Sequence, residues 1–162
     1  MTDPTWLDDE EMRAWRAFIT AGALLDRRLD QQLRDDVGLS HLQYGILVQL
    51  AAAEGCAMRM TELADSMLNS KSGLTYQISQ LEKAGLVHRA PCTIDVRGVY
   101  AALTDEGRKL MERAAPGHVA LVRELFIDVL TRDQLTAIAD GLGEASRRMH
   151  AQDGMTSALK GD

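Results

Sequence analysis

The sequence predicts a mainly helical protein with one small β-hairpin, an α+β fold. Apolar residues recur at spacings of three and four over most of the chain, which is typical of half-buried helices. Between Val87 and Leu103, two short runs of strand-forming residues instead flank a turn-forming segment, Cys92 to Arg97. Aromatic residues make up only 4% of the chain, and Leu, Ala and Met dominate its apolar fraction, which also favours helix.

The first predicted helix extends from Asp9 to Asp36. Its apolar stripe follows the helical period and comprises Trp15, Ile19, Gly22, Leu25, Leu29 and Leu33, with Phe18 beside it. A stripe of this length exceeds what one small domain can cover, so we expect it to dock against a second chain. Packing against the C-terminal helices of the same chain is the alternative.

Two short helices are expected next. Ser40-x-x-Gln43 is a capping box, which predicts a helix from there to about Ala53. Residues 57–59 are expected to add a short strand to the hairpin. A further helix follows from Met60, with Thr61 as its predicted N-cap.

The following helix is predicted to begin after Ser70 and to end at Gly85. Leu74, Ile78 and Leu81 form its inner face, while hydroxyl, amide and Lys side chains form its outer face. Two helices separated by a short turn, the second of them followed by a hairpin, predict a winged helix-turn-helix with the hairpin as its wing.

The wing also carries a motif. Asp95-x-Arg97, then Leu103-Thr104 and Gly107, resembles the wing motif of the MarR family, the multiple-antibiotic-resistance regulators. Leu63-Ala64 and the run from Leu81 to Val87 resemble that family as well. Val96 departs from the family pattern, in which the middle residue of Asp-x-Arg is often a second basic residue.

The resemblance implies a sequence-specific transcriptional regulator. It implies a winged helix-turn-helix DNA-binding domain over residues 37–107 and a helical dimerisation region over 9–36 and 108–151. Members of the family usually repress by binding an inverted-repeat operator as a homodimer. They release the operator when a small effector, often aromatic or anionic, binds between the two regions.

The C-terminal third is expected to be helical. Residues 104–130 form one apolar pattern, interrupted by Pro116-Gly117, which predicts a kink near Ala115 or two successive helices. Thr131-x-x-Gln134 is a second capping box, and the last helix is expected to reach Ala151. Residues 152–162 are polar and predicted to be a disordered tail.

The predicted DNA-binding residues lie on the outer face of the recognition helix and on the wing. Side chains in the N-terminal half of such a helix reach base edges, and its first N–H groups face phosphates. If the wing is disregarded, this polar face is equally consistent with an ordinary solvated helix surface. The predicted set is Asn69, Ser70 and Lys71 for phosphates, Ser72, Thr75, Tyr76 and Gln80 for bases, Gly73 for close approach, Arg97 for the minor groove and Arg89, with His88, as weaker phosphate contacts.

An effector pocket is predicted where the first two helices meet. Trp15, Phe18, His41 and Tyr44 could line it. For any one of these residues an ordinary core contact is the alternative.

The charge distribution agrees with local DNA binding. The net charge is −6, but residues 57–109, which contain the predicted recognition helix and wing, hold seven basic and six acidic side chains, so this segment has no acidic excess. Because the net charge is acidic, the alternative that this winged helix binds only protein partners stays open. The N-terminus does not resemble a signal peptide and no apolar run is long enough to span a membrane, so we expect a cytoplasmic protein.

Other chemistry is weakly indicated. Cys56 and Cys92 are either redox sensors or idle thiols, and two cysteines do not make a disulfide framework. His88 and Cys92 have a metal-like spacing but are only two ligands, so no metal and no cofactor is expected. No catalytic constellation is present, and the sequence predicts no enzyme.

Overall fold

The computed structural model describes residues 5–67, 70–91 and 98–159. Within them, helices dominate and three short strands form one sheet, which confirms the predicted fold class. A 3₁₀ turn at Glu54–Cys56 and a π-helical turn at Arg123–Ile127 complete the secondary structure. The elements are α1 (Asp9–Val37), α2 (His41–Ala52), β1 (Ala57–Arg59), α3 (Met60–Ser66), α4 (Lys71–Lys83), β2 (Val87–Pro91), β3 (Val99–Leu103), α5 (Asp105–Val122) and α6 (Arg132–Leu159).

The chain forms two compact units, the first ending at Leu121 and the second beginning at Val122. The first unit contains the helix-turn-helix and the sheet. The second contains the π-helical turn and α6. The division into DNA-binding and dimerisation regions that the sequence suggested remains a prediction.

The sheet is antiparallel with β3 in its centre and the order β1-β3-β2. β2 and β3 form the hairpin, and β1 adds to the free side of β3, as the sequence predicted. Arg59 pairs with Tyr100 on one side of β3, and Arg89 pairs with Ala101 on the other. Ala101 is fully buried, so the inner face of the central strand packs on the helices. The predicted turn at residues 92–97 lies outside the described residues.

One hydrophobic core joins α2, α3, α4 and the base of the sheet. The inner face predicted for the recognition helix is confirmed, because Leu74, Ile78 and Leu81 are all buried. A smaller cluster of Leu33, Tyr44 and Ala114 ties α1 and α2 to α5. The buried members of the main core are Leu39, Ile46, Leu47, Leu50, Leu63, Ala64, Leu74, Ile78, Leu81, Leu86, Val87 and Ala101.

The recognition helix α4 ends in a Schellman motif. Gly85 adopts the left-handed conformation with φ of 75°, as the sequence predicted. The Leu86 N–H donates to the Leu81 carbonyl at 2.9 Å, and the Gly85 N–H donates to the Glu82 carbonyl at 3.0 Å. Leu86 is buried beside the main core, so the chain leaves the helix directly into β2.

The start of α5 is fastened to this same turn. The Thr104 hydroxyl donates to the Gly85 carbonyl at 2.7 Å and accepts the Gly107 N–H at 3.0 Å, while the Thr104 N–H donates to the Leu86 carbonyl at 3.1 Å. A Cβ at Gly107 would overlap the Leu86 carbonyl oxygen and lie 2.8 Å from Leu103 Cδ1. Only glycine therefore allows α5 to approach this closely.

The start of α3 differs from the prediction, and the start of α1 adds to it. Thr61 is not the N-cap of α3, because that helix begins at Met60 directly after the strand residue Arg59, and no side chain caps it. The sequence did not single out the start of α1, where Asp8 and Glu11 form a capping box.

The chain does not form two helices divided at Pro116, which was one of the two predicted alternatives, whereas a kink near Ala115 stays a prediction. α5 continues through Pro116 to Val122, and the irregular turn comes later, at Arg123–Ile127. Proline removes one hydrogen bond, but buried Ala114 and the packed ring of His118 hold the helix on both sides of it. α6 extends to Leu159, beyond the end at Ala151 that the apolar pattern predicted, and residues 160–162 lie outside the described part of the chain.

Gly107→Ala should lower the free energy of unfolding by about 1–3 kcal/mol, because the added methyl group must displace the Leu86 backbone. The matched control is Gly143→Ala in α6, where a Cβ meets only the Arg147 guanidinium at 3.6 Å. That change should leave stability unchanged or raise it by up to about 1 kcal/mol. Urea denaturation of both variants measures the difference, and equal stabilities would contradict the close approach.

Candidate nucleic-acid interface

The N-terminal half of α4 presents an exposed polar face. Ser70 caps the helix, its hydroxyl oxygen accepting the Gly73 N–H at 3.0 Å, so this side chain has a structural task besides its predicted phosphate contact. Lys71, Ser72 and Thr75 are exposed, and Tyr76 is 61% exposed although it is aromatic. An aromatic side chain held in water at the start of a recognition helix is available to a ligand.

Two hydroxyls on this face bond to their own helix. Thr75 Oγ1 donates to the Lys71 carbonyl at 2.8 Å, and Ser79 Oγ donates to the Thr75 carbonyl at 2.9 Å. These back-bonds fix the rotamers of both side chains. Ser79 was not among the residues predicted to bind DNA, and it is half-buried. Gln80 is half-buried as well, whereas the predicted phosphate contact Asn69 lies outside the described residues.

Arg89 lies on β2, but its polar atoms face the recognition helix. Its Nη1 donates to Glu82 Oε2 at 2.6 Å, and its Nη2 donates to the Ser79 hydroxyl at 2.9 Å and to the Thr75 carbonyl at 3.2 Å. The sequence suggested Arg89 as a weak phosphate contact, and the structure shows that it has intramolecular partners. No spacing in the sequence indicated the pairing with Glu82.

An open groove of about 450 Å³ lies beside the recognition helix. Gln43 connects its two sides: its Oε1 accepts the Ser40 N–H at 3.0 Å in the predicted capping box, and its Nε2 donates to Gln77 Oε1 at 3.2 Å. Sequence reasoning missed Gln77, because nothing in the chain indicates which helix faces Gln43. The lining residues are Arg34, Ser40, Leu42, Gln43, Tyr76, Gln77 and Gln80.

Among the described residues that line this groove, the one cation, Arg34, is already paired. Arg34 Nε donates to Asp30 at 2.6 Å, and Asp30 also accepts the His41 N–H at 2.9 Å. Both bonds favour the carboxylate and hold the pKa of Asp30 below its usual value. The groove is therefore polar and close to neutral.

The wing contributes polar side chains through its described strands. Arg59 Nε lies 3.4 Å from the Tyr100 hydroxyl, and its guanidinium lies 5.9 Å from the centre of the Tyr100 ring. His88 is exposed on β2. Arg97, the residue predicted to enter the minor groove, and Asp95 lie outside the described residues.

The four residues predicted for an effector pocket fall into two groups. Trp15 and Phe18 form an exposed aromatic pair on α1, with ring centres 6.2 Å apart. His41 and Tyr44 instead surround His118 of α5, at 5.6 and 4.8 Å between ring centres. His41 also contacts Asp26, and Phe18 precedes Asp26 by roughly 12 Å along the helix axis. The structure thus shows two separate sets of ring contacts, and the effector pocket stays a prediction.

His118 is the residue of this junction that the sequence did not single out. Its Nδ1 is buried and has no hydrogen-bond partner within the described residues. Burial, followed by the neighbouring His41, lowers the pKa of His118 below its usual value, since both disfavour the imidazolium. Burial likewise raises the pKa of the Tyr44 hydroxyl. Both shifts favour the neutral side chains of His118 and Tyr44.

The cysteine and metal alternatives have limited structural support. Arg108 Nη2 lies 2.7 Å from Cys56 Sγ, so this thiol has a cationic neighbour that the sequence did not reveal. Cys92 lies outside the described residues. Among the residues that the structure describes, no group of three or more His, Cys, Asp or Glu side chains could hold a metal ion. None of the helices in the same part of the chain combines the length and hydropathy that crossing a membrane requires.

Comparison with known proteins identifies relatives of this chain. The family model described as MarR family matches residues 39–99. Sco3205, a MarR family transcriptional regulator from Streptomyces coelicolor solved in complex with DNA, is 44% identical, with 91% of this chain and 89% of that chain covered and a TM-score of 0.82. AbsC, a MarR family transcriptional regulator from the same organism, is 40% identical, with coverages of 91% and 99% and a TM-score of 0.86. The HTH-type transcriptional regulator PecS of Dickeya dadantii is 28% identical over 144 residues, which are 88% of this chain and 86% of that protein.

Protonation of His118 should make stability depend on pH. Because the pKa of His118 is lowered on folding, the unfolded chain takes up a proton first, and the free energy of unfolding should fall as the pH drops below about 6.5. His118→Phe keeps a ring beside Tyr44 but cannot titrate, so its stability should change less between about pH 7.5 and pH 5.5. Denaturant titrations at several pH values measure this.

His118→Gln is the matched control for packing. It also cannot titrate, but it lacks the ring, so it should be less stable at every pH while showing the same flattened pH dependence. A Phe variant with the full wild-type decrease would contradict the assignment to His118.

Proposed function

Because the chain belongs to the MarR family of DNA-binding transcriptional regulators, we propose that it is a repressor that binds an inverted-repeat operator as a homodimer. The observation that carries this proposal is the exposed N-terminal face of α4, with Tyr76 in water, directly beside a three-stranded wing. A relative with 44% identity was solved in complex with DNA, which supports DNA binding by this chain. The regulator would act in the cytoplasm.

On this proposal the recognition helix enters the major groove. Ser72, Thr75, Tyr76 and Gln80 contact base edges, while Asn69, Ser70 and Lys71 contact phosphates at the helix start and Gly73 permits close approach. Arg97 on the wing reaches the minor groove. Only Lys71 and Arg97 are cationic among these proposed contacts, so sequence selectivity depends more on polar contacts to bases than on general attraction to phosphate.

Dimerisation is supported by apolar surface left on α1. Trp15, Phe18, Ile19 and Leu24 are each about half exposed in the single chain. Four large apolar side chains on one helix are more than an isolated soluble domain usually exposes, and a second copy of the chain would cover them. Leu29 and Leu33, further along the same stripe, are instead buried within the chain.

Release by a small aromatic or anionic effector is the regulatory part of the proposal. The aromatic junction of His41, Tyr44 and His118 supports it, because the buried Nδ1 of His118 would accept or donate a hydrogen bond to a ligand. The exposed pair of Trp15 and Phe18 would contribute only after a second chain approaches. Fluorescence anisotropy with operator DNA, repeated with small carboxylates and phenols, tests this release, and binding unaffected by every compound would argue against it.

Base and phosphate contacts should respond differently to mutation. Lys71→Ala should weaken binding to every duplex and lower the log–log salt slope by about 0.9, since it removes one phosphate contact. Tyr76→Ala should instead relax the preference at particular base pairs, by about 1–3 kcal/mol, with the slope unchanged. Fluorescence anisotropy across a salt titration, with single-base operator variants, measures both. Arg97→Ala should behave like Lys71→Ala.

A selection experiment separates a regulator from a winged helix that binds only proteins, which the acidic net charge of −6 leaves open. Selection from random duplexes should enrich an inverted repeat with half-site centres roughly one helical turn apart. Enrichment of no palindrome would favour the protein-interaction module.

Ile19→Asp should abolish dimerisation and operator binding together. Ile19 is 47% exposed in the single chain, so the carboxylate is tolerated by the monomer but would be buried and unpaired in a dimer. Thr20→Asp, which introduces the same charge at an exposed neighbouring position on another face of α1, is the control and should remain dimeric. Analytical ultracentrifugation and circular dichroism establish association and folding. A monomeric, folded Ile19→Asp variant with wild-type operator affinity would contradict the role of the dimer.

A further inference from the structure

Arg89 and Glu82 join the first wing strand to the recognition helix. Glu82 accepts two hydrogen bonds from the same residue, one from the Arg89 backbone N–H at 3.0 Å and one from its guanidinium at 2.6 Å. The side chains of Arg89 and Glu82 are 30% and 38% exposed, so both are partly shielded from water. A carboxylate that binds both the backbone N–H and the guanidinium of one residue holds the strand against the helix and also neutralises the charge of the arginine.

The remaining contacts of Arg89 lie along one face of α4. Its Nη2 donates to the Ser79 hydroxyl and to the Thr75 carbonyl, and Ser79 itself donates to that carbonyl. Residues 75, 79 and 82 are spaced by four and three, so one guanidinium spans two turns of the recognition helix. Thr75 is also a predicted base-reading residue. The arginine therefore connects β2 to the part of α4 that faces DNA.

We propose that Arg89 is a positioning residue whose pairing with Glu82 sets the angle between the recognition helix and the wing. This inference rests on the proposed operator binding, in which helix and wing must meet the duplex at the same time. It also gives Glu82 a purpose: an acid on a DNA-binding helix repels phosphate unless a cation neutralises it, and Arg89 does so within the protein.

The competing role for Arg89 is a direct phosphate contact, and the two roles make opposite predictions for Glu82. If Arg89 bound phosphate, Glu82→Gln would free the guanidinium and remove a negative charge, so DNA would bind equally well or more tightly. If Arg89 holds the wing in register with α4, Glu82→Gln releases that hold. Removing an acid would then weaken operator binding.

The test uses Glu82→Gln, Arg89→Gln and the double variant of the full-length protein, with Glu62→Gln on α3 as an exposed control acid. Each single change should reduce operator affinity by about tenfold, and the double variant should be no weaker, because both residues belong to one hydrogen-bond network. Affinity for non-specific duplex and the log–log salt slope should stay at wild-type values, since no phosphate contact is lost. Glu62→Gln should not weaken binding.

A measurement without DNA keeps the inference independent of the operator. Amide hydrogen exchange over residues 87–90 should be faster in Glu82→Gln and Arg89→Gln than in the wild type, with circular dichroism showing that both variants are folded. Unchanged exchange, tighter DNA binding by Glu82→Gln, or a salt slope lowered by about 0.9 in Arg89→Gln would each overturn the positioning role. A wild-type protein that selects no operator would contradict the proposed function alone, while the exchange result would still decide whether the pair holds the wing.

Discussion

The close approach of α5 to the turn after the recognition helix is the constraint on which the rest of the structure depends. At this point the end of α4, the end of β3 and the start of α5 meet around the carbonyl groups of Gly85 and Leu86. Thr104 bonds to both carbonyls and caps α5, and Gly107 leaves room for the backbone. The direction of the recognition helix is thereby tied to the helix that leads towards the C-terminal part of the chain.

Two further attachments act along the recognition helix. Gln77 binds Gln43 at the start of α2, and Glu82 binds Arg89 on β2. These bonds reach α4 from different sides. They therefore hold the helix near its middle and at its end and leave one surface exposed. The first turn, capped by Ser70, carries the most exposed side chains and the fewest bonds to other elements among those described. A helix supported in this way would suit the proposed recognition of DNA, which depends on polar contacts to bases more than on charge.

The fold was largely predictable because it depends on local patterns. Leu74, Ile78 and Leu81 showed the inner face of α4, Gly85 its end, and Ser40 with Gln43 the start of α2. The sequence could not decide whether α5 continues past Pro116, because the effect of a proline depends on what packs beside it, here Ala114 and His118. The site was predicted as a surface but not as a network: the pairs Gln43–Gln77 and Glu82–Arg89 join separate elements, and one sequence does not reveal which polar residues will face each other.

The back-bond of Thr75 has a consequence for what this residue can meet on the outside. A hydroxyl has one hydrogen, and that of Thr75 is donated to the Lys71 carbonyl. While this bond lasts, Thr75 offers only lone pairs, so any external partner must supply the hydrogen. In the major groove, the exocyclic amino groups of adenine and cytosine supply one, whereas the oxygens of guanine and thymine do not. A hydroxyl that could either donate or accept a hydrogen bond is thereby restricted by its own helix to accepting one.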